Sequence, residues 1–201
     1  MTEAATKNAQ TRLRWSVYWI LIVLSVGSIT GRIFAVNSVD RSRLEQHLKR
    51  TGRVQWQQQR PFLSSNDRSR WATVRSLVEN GTYAVDEIVD QPNWDTIDMV
   101  KHADGSGTAR LYSSKPPLLA TLIAGPYWVI HRLTGWTLGT HPYEIGRSFL
   151  IFLNILPLII LFLIMARLVE RFGNSDWARI YVMAAATCGT FLTTFAVVLN
   201  N

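Results

Sequence analysis

The sequence predicts an all-α membrane protein with about three transmembrane helices and an extracytoplasmic loop carrying amphipathic juxtamembrane helices. Three observations predict it. Of 201 residues, 48% are hydrophobic and only 17% are charged. The charges concentrate between positions 39 and 115. Charge-free runs lie on both sides, at 15–31, 148–166 and 180–201. Runs near 20 residues match a hydrocarbon core of ~30 Å at ~1.5 Å rise per helical residue.

Residues 1–14 are polar and read as a loose cytoplasmic tail. Lys7, Arg12 and Arg14 precede an apolar run, as in a signal peptide. The run is longer than a usual signal core, and Arg32 directly follows the small residue Gly31, so no clean cleavage site appears. An uncleaved first span at 15–36 is expected. Its lone Arg32 lies close enough to the end to snorkel.

Residues 37–147 form the extracytoplasmic loop. Its first part, 41–75, holds nine Lys and Arg against Glu45 and Asp67; its second, 79–104, holds seven acids against Lys101. A solvated face is the ordinary meaning of such charge runs. Residues 41–52 look helical, and 55–61 carry no clear pattern. In 68–79, Trp71, Val74, Leu77 and Val78 fall on one helical face, suited to a membrane surface. Asp67 stands where an N-cap belongs, and Asn80-Gly81 is a stop signal. Residues 91–107 read as irregular, with a turn at Gly105-Ser106-Gly107.

Residues 116–135 form the second juxtamembrane helix. The apolar stretch is short for a span, and Pro126 interrupts it. If it spanned, Arg132 and Arg147 would flank the cytoplasmic loop. If it lies in the interface, Arg167, Arg171 and Arg179 do so, and three arginines outweigh two. The expected spans are therefore 15–36, 148–168 and 179–199, with a cytoplasmic loop at 169–178 and the N-terminus inside. This places a multi-pass protein in the cytoplasmic (inner) membrane. Most of the net charge of +7 sits beside apolar spans, so it does not argue for nucleic acid. The single cysteine, Cys188, cannot form an intrachain disulfide.

Three features carry chemistry. Asp67 could take a proton from an acceptor hydroxyl or amine at the outer face, although helix capping is its plainer role. Lys115, in YSSKPPLL, could meet a phosphate as a point charge, or simply flank an apolar helix. Its two prolines have no N–H to leave unpaired at the interface. Arg68, Arg70 and Arg75 could bind phosphate or anionic headgroups, or serve as surface charge. His102, His131 and His141 lack metal-ligand spacing, so no metal site is predicted. No phosphate-binding glycine loop or nucleophile elbow appears.

The order of these pieces resembles the front end of the GT-C membrane glycosyltransferases. The branch it is most similar to holds the protein O-mannosyltransferases and lipid A aminoarabinose transferases. NDRSRWATVRSLVENGTY resembles their acidic motif and first juxtamembrane helix. YSSKPPLLATLIAGPYWVIHRLTGW resembles their Lys-Pro element and second helix. HPYEIGRSFLIFLNILPL resembles the start of their next span, with Arg147 at an expected arginine. The resemblance implies that Asp67 activates the acceptor and that Lys115 binds the phosphate of a polyprenyl-phosphate sugar. It implies no cofactor beyond that donor, and partners limited to membrane lipid, the lipid-linked sugar and an acceptor. The family's acidic motif is Asp-Glu, whereas Arg68 follows Asp67 here. Members also carry more spans, so a chain ending at 201 is expected to be an N-terminal fragment, inactive alone. The alternative expectation is a small non-catalytic membrane protein, a partner subunit or sensor that docks through its charged loop.

Overall fold

The computed structural model describes residues 3–35, 50, 62, 64–103, 105 and 107–199. The expected helix at 41–52, Arg50 apart, and the stretch 55–61 lie outside them. The chain divides into two compact units. One comprises Met1–Ala35 and Ser148–Val197, the other Val36–Arg147 and Val198–Asn201.

The first unit is helical. Helix α1 (Glu3–Ala35) takes in the tail that the sequence led us to expect as loose. The correction has a local cause: EAATKNAQTRLR is rich in Ala, Lys, Gln, Leu and Arg, all good helix formers, and it is continuous with an apolar helix. Tyr18, Ile22, Ser25, Ile29 and Ile33 recur every three or four positions and form its buried face. Residues 142–172 form the second long helix. It comprises α5 (Pro142–Leu150), a π-helical turn at Ile151–Ile155, and α6 (Leu156–Phe172). The wide turn lies just before Pro157, whose missing N–H and bulky ring the tighter α-helical pattern would not accommodate.

Both α1 and the 142–172 helix are long and apolar enough to cross a membrane. Only 28% and 33% of their most apolar windows are buried. A core helix of a water-soluble domain would be mostly covered, but here Ile20, Val23, Leu24, Phe152, Ile160 and Ile164 face outward.

The third expected span, 179–199, does not form as one helix. Helix α7 (Asp176–Cys188) starts earlier, where Ser175 caps the Ala178 N–H, and ends at Gly189. Its 13 residues reach about 20 Å, short of a bilayer core. A separate turn, α8 (Leu192–Phe195), follows. Gly189 and hydroxyls that bond back onto their own helix, such as Thr187 to the Met183 carbonyl, favour the break.

Helix α1 packs against both α6 and α7. Arg14 clamps Glu170 through Nε and Nη2, both at 2.9 Å, and reaches Asp176 at 2.9 Å. Tyr18 donates to Glu170 at 2.8 Å. Further along, Ser25 donates to the Thr187 carbonyl at 2.7 Å. The start of α1 thus meets the end of α6 and the start of α7, so α1 and α6 run antiparallel.

The second unit is built around helix α2 (Ser65–Glu79). Ser64, not Asp67, is its N-cap, accepting the Asp67 N–H at 3.1 Å; Asp67 instead sits in the first turn. The helix stops at Asn80, and Gly81 takes φ +70° as the stop signal requires. Every residue from Asp67 to Ser76 is buried. Helix α2 is therefore the core of this unit and not a surface helix, which corrects the amphipathic expectation. Phe62 stacks on Trp71 at 4.9 Å, and Trp94 meets Phe62 edge-on at 5.7 Å.

The unit is not all-α. Strand β1 (Met99–Ala103) pairs antiparallel with β2 (Ala109–Ser113). Part of the expected irregular stretch 91–107 is thus a strand. Val100 opposite Tyr112 is a favourable cross-strand pair, and Gly107 at φ +81° eases the connection. The short helix α3 (Asp86–Val89) anchors the hairpin, because Asp86 accepts the Leu111 N–H and the Leu111 carbonyl accepts the Val85 N–H.

Helix α4 (Pro117–Thr134) matches the second expected helix within a residue at each end. Ala120, Ile123 and Tyr127 are buried, and the helix packs on α2. Leu118, Leu122, Val129 and Leu133 form a second apolar stripe that stays exposed.

Candidate functional site

Asp67 is 2% exposed. Its Oδ1 accepts the Leu199 N–H at 3.1 Å, while Arg70 donates to the Leu199 carbonyl at 2.9 Å. The two side chains are three positions apart on one helix and so share a face. Together they grip both backbone groups of a single residue.

The three candidate arginines are buried and engaged inside the unit. Arg68 donates to the carbonyls of Asp95 and Phe62. Arg70 holds Leu199. Arg75 pairs with Glu79 at 2.9 Å and lies over the Trp94 ring at 4.9 Å. A guanidinium satisfied by carbonyls is structural mortar as well as a potential anion ligand. Composition could not reveal this, because Asp95, Leu199 and Trp94 come from distant segments.

Lys115 stands just before α4. Its ammonium lies 3.2 Å from Oδ2 of Asp98, with side chains 26% and 15% exposed. The hairpin register explains the meeting. Met99 pairs with Ser113, so residue 98 falls opposite Ser114, beside Lys115. Ser69 of α2 secures the arrangement by bonding both the Asp98 carbonyl at 2.7 Å and Ser113 Oγ at 2.6 Å. Ser113 Oγ also accepts the Lys115 N–H at 3.2 Å, and the Ser114 hydroxyl donates to Asp98 Oδ1.

Asp67 and the Lys115 cluster are thus both tied to the first turns of α2. They leave it in different directions, because Asp67 and Ser69 are about 200° apart around the helix at 3.6 residues per turn. The partner of Lys115 is Asp98, a residue the sequence reading did not single out. The strand that brings it there, Met99–Ala103, reads MVKHA, with no apolar–polar alternation to signal a hairpin.

Tyr127 is the other residue that the sequence did not single out. It donates to Glu79 at 2.6 Å and accepts the Leu138 N–H at 2.7 Å. Burial, then the bond to Glu79, pushes its phenol well above the ordinary tyrosine range. Among the described residues, no group of three or more His, Cys, Asp or Glu is placed to hold a metal ion.

The chain matches no protein-family model, no curated protein and no solved structure. The functional reading therefore rests on these residues alone.

Proposed function

We propose that this chain is the N-terminal part of an integral-membrane glycosyltransferase of the GT-C kind, moving a sugar from a polyprenyl phosphate to an extracytoplasmic acceptor. The observation that carries the reading is the position of Lys115. It immediately precedes a helix whose outer stripe, Leu118, Leu122, Val129 and Leu133, is apolar and open. Such a stripe fits the headgroup boundary of a bilayer, and Arg132 over the Trp128 ring at 5.5 Å is a typical interfacial anchor. A cation there meets a phosphate that its own lipid holds at the same depth.

The antiparallel run of α1 and α6 supports the three-pass topology. It starts α6 at the same end of the helical unit where α1 stops at Ala35. A single crossing by α4 does not fit that arrangement. In this reading the N-terminus is inside the cytoplasmic membrane and 37–147 lie outside. The segment α7–α8 completes a third pass as a broken helix, since Asn154 donates to the Ala196 carbonyl at 2.9 Å.

In the reaction, the acceptor O–H gives its proton to Asp67 as its oxygen attacks the anomeric carbon. The bond from that carbon to the phosphate oxygen breaks, and its electron pair leaves with the phosphate, whose charge Lys115 stabilises. The Leu199 N–H must first yield its place on Asp67 to the acceptor. Arg68, Arg70 and Arg75 shape this end of α2, leaving the phosphate to Lys115. The docking alternative draws less support, because these three basic residues are buried.

The test is transfer from a radiolabelled polyprenyl-phosphate sugar in native membranes. Asp67→Asn and Lys115→Met should each abolish it with the protein still present. Full activity in Asp67→Asn would sink the reading.

A further inference from the structure

The Lys115 ammonium already has an anion beside it. Resting on the phosphate role proposed for this lysine, we propose that Asp98 is its exchangeable counter-ion, displaced when the phosphate of a prenyl phosphate takes its place.

Four features carry the inference. The lysine side of the pair is partly open, with its side chain 26% exposed, so an incoming anion approaches from there while Oδ2 of Asp98 stays buried. Oδ2 faces the ammonium at 3.2 Å but is not aligned for a hydrogen bond, so charge alone holds that contact. The other carboxylate oxygen has its own partner in the Ser114 hydroxyl. Asp98 therefore keeps a hydrogen bond when the lysine leaves. Lastly, the backbone is pinned independently of the pair. Ser69 holds the Asp98 carbonyl, Thr96 accepts the Asp98 N–H at 3.2 Å, and Ser113 accepts the Lys115 N–H. Exchange then costs a side-chain movement and no unfolding.

The physical logic is competition. A lysine left unpaired at a membrane edge would attract any anionic headgroup. An internal carboxylate screens it against weakly held anions. A phosphate delivered with a prenyl chain in the adjacent apolar surface outcompetes the carboxylate because two contacts act together. Asp98 is thus a specificity-determining residue that need not touch the sugar.

The experiment measures binding of farnesyl phosphate, farnesol and inorganic phosphate to the full chain in detergent. Wild type, Asp98→Asn, Ser114→Ala, Lys115→Met and the Asp98→Asn/Lys115→Met double variant are compared. Asp98→Asn removes the competing charge at constant shape and should bind farnesyl phosphate about fivefold tighter, the effect of one partly exposed ion pair. Ser114→Ala alters neither charge but removes the hydrogen bond that the displaced Asp98 keeps, and should weaken binding. The lysine variant and the double variant should bind weakly and alike. Inorganic phosphate should gain in Asp98→Asn without reaching the affinity of the lipid, and farnesol should not respond. Equal affinity for free phosphate and lipid would overturn the prenyl-phosphate specificity. If Lys115→Met loses binding but Asp98→Asn binds no better than wild type, the exchange is wrong and the phosphate site stands. If Lys115→Met binds as wild type does, the phosphate reading fails too.

Discussion

The guanidinium of Arg75 lies so close over Gly139 that a Cβ at that glycine would clash with Nη2. Arg75 cannot simply swing away, because Glu79 and the Trp94 ring hold it in place. Gly139→Ala should therefore destabilise the second unit by about 1–3 kcal/mol through overpacking. Thermal unfolding in detergent measures it. A shortened neighbour, Arg75→Ala, should make the Gly139→Ala change cheaper in a double-mutant cycle.

Tyr127 ties α4 to α2 and to the loop at Leu138. Tyr127→Phe orphans the Leu138 N–H and removes the bond to Glu79, and should cost about 1–3 kcal/mol. The pH dependence follows from the raised phenol. Its proton is bound more tightly in the folded state, so the stabilisation is fully present below the unfolded value of about 10 and fades as pH rises above it. In an alkaline absorbance titration the Tyr127 phenolate should be missing until unfolding, so Tyr127→Phe should leave the folded-state curve unchanged.

Arg14 is the clasp of the helical unit. Arg14→Gln leaves Glu170 without its bidentate partner and should lower stability by about 3 kcal/mol. Arg14→Lys should recover only part of that, because an ammonium cannot reproduce the fork across Glu170 and Asp176. Loss of helicity on heating, followed by circular dichroism in detergent, reports both.

Asp67→Asn should preserve the fold, since an amide oxygen can still accept the Leu199 N–H. It should reduce transfer about a hundredfold or more, as expected for loss of a general base. Asp67→Ala should lower stability as well, because it leaves the Leu199 N–H unpaired. Equal activity losses with a stability loss in Asp67→Ala alone would separate chemistry from scaffolding.

Topology is open to a direct check. Single cysteines at positions 93 and 174, in a variant lacking Cys188, can be challenged with an impermeant thiol reagent on intact cells. Position 93 should label and 174 should not, because the proposed topology puts 174, beside the Arg14–Asp176 cluster, on the cytoplasmic side. Labelling at both would make α4 a crossing helix.

The sequence by itself determined where long helices form. Apolar runs, helix formers and stop residues act over a few neighbours, so the apolar parts of α1 and of the 142–172 helix, α4 and the end of α2 at Asn80-Gly81 could be read from it, while the helical start of α1 was not. It also picked out Asp67 and Lys115. Tertiary structure alone decided what surrounds them. The amphipathic pattern of α2 suited a membrane surface as well as a core, and the contacts of Phe62, Trp94 and α4 made it a core. Three arginines that looked exposed are buried, two of them held by carbonyls of other segments and Arg75 by Glu79 of its own helix and by the Trp94 ring. Asp67 meets Leu199 across 132 positions. Lys115 meets Asp98 only because one hairpin register places them together. Partner choice of this kind depends on which distant segments pack together, and no local periodicity encodes it.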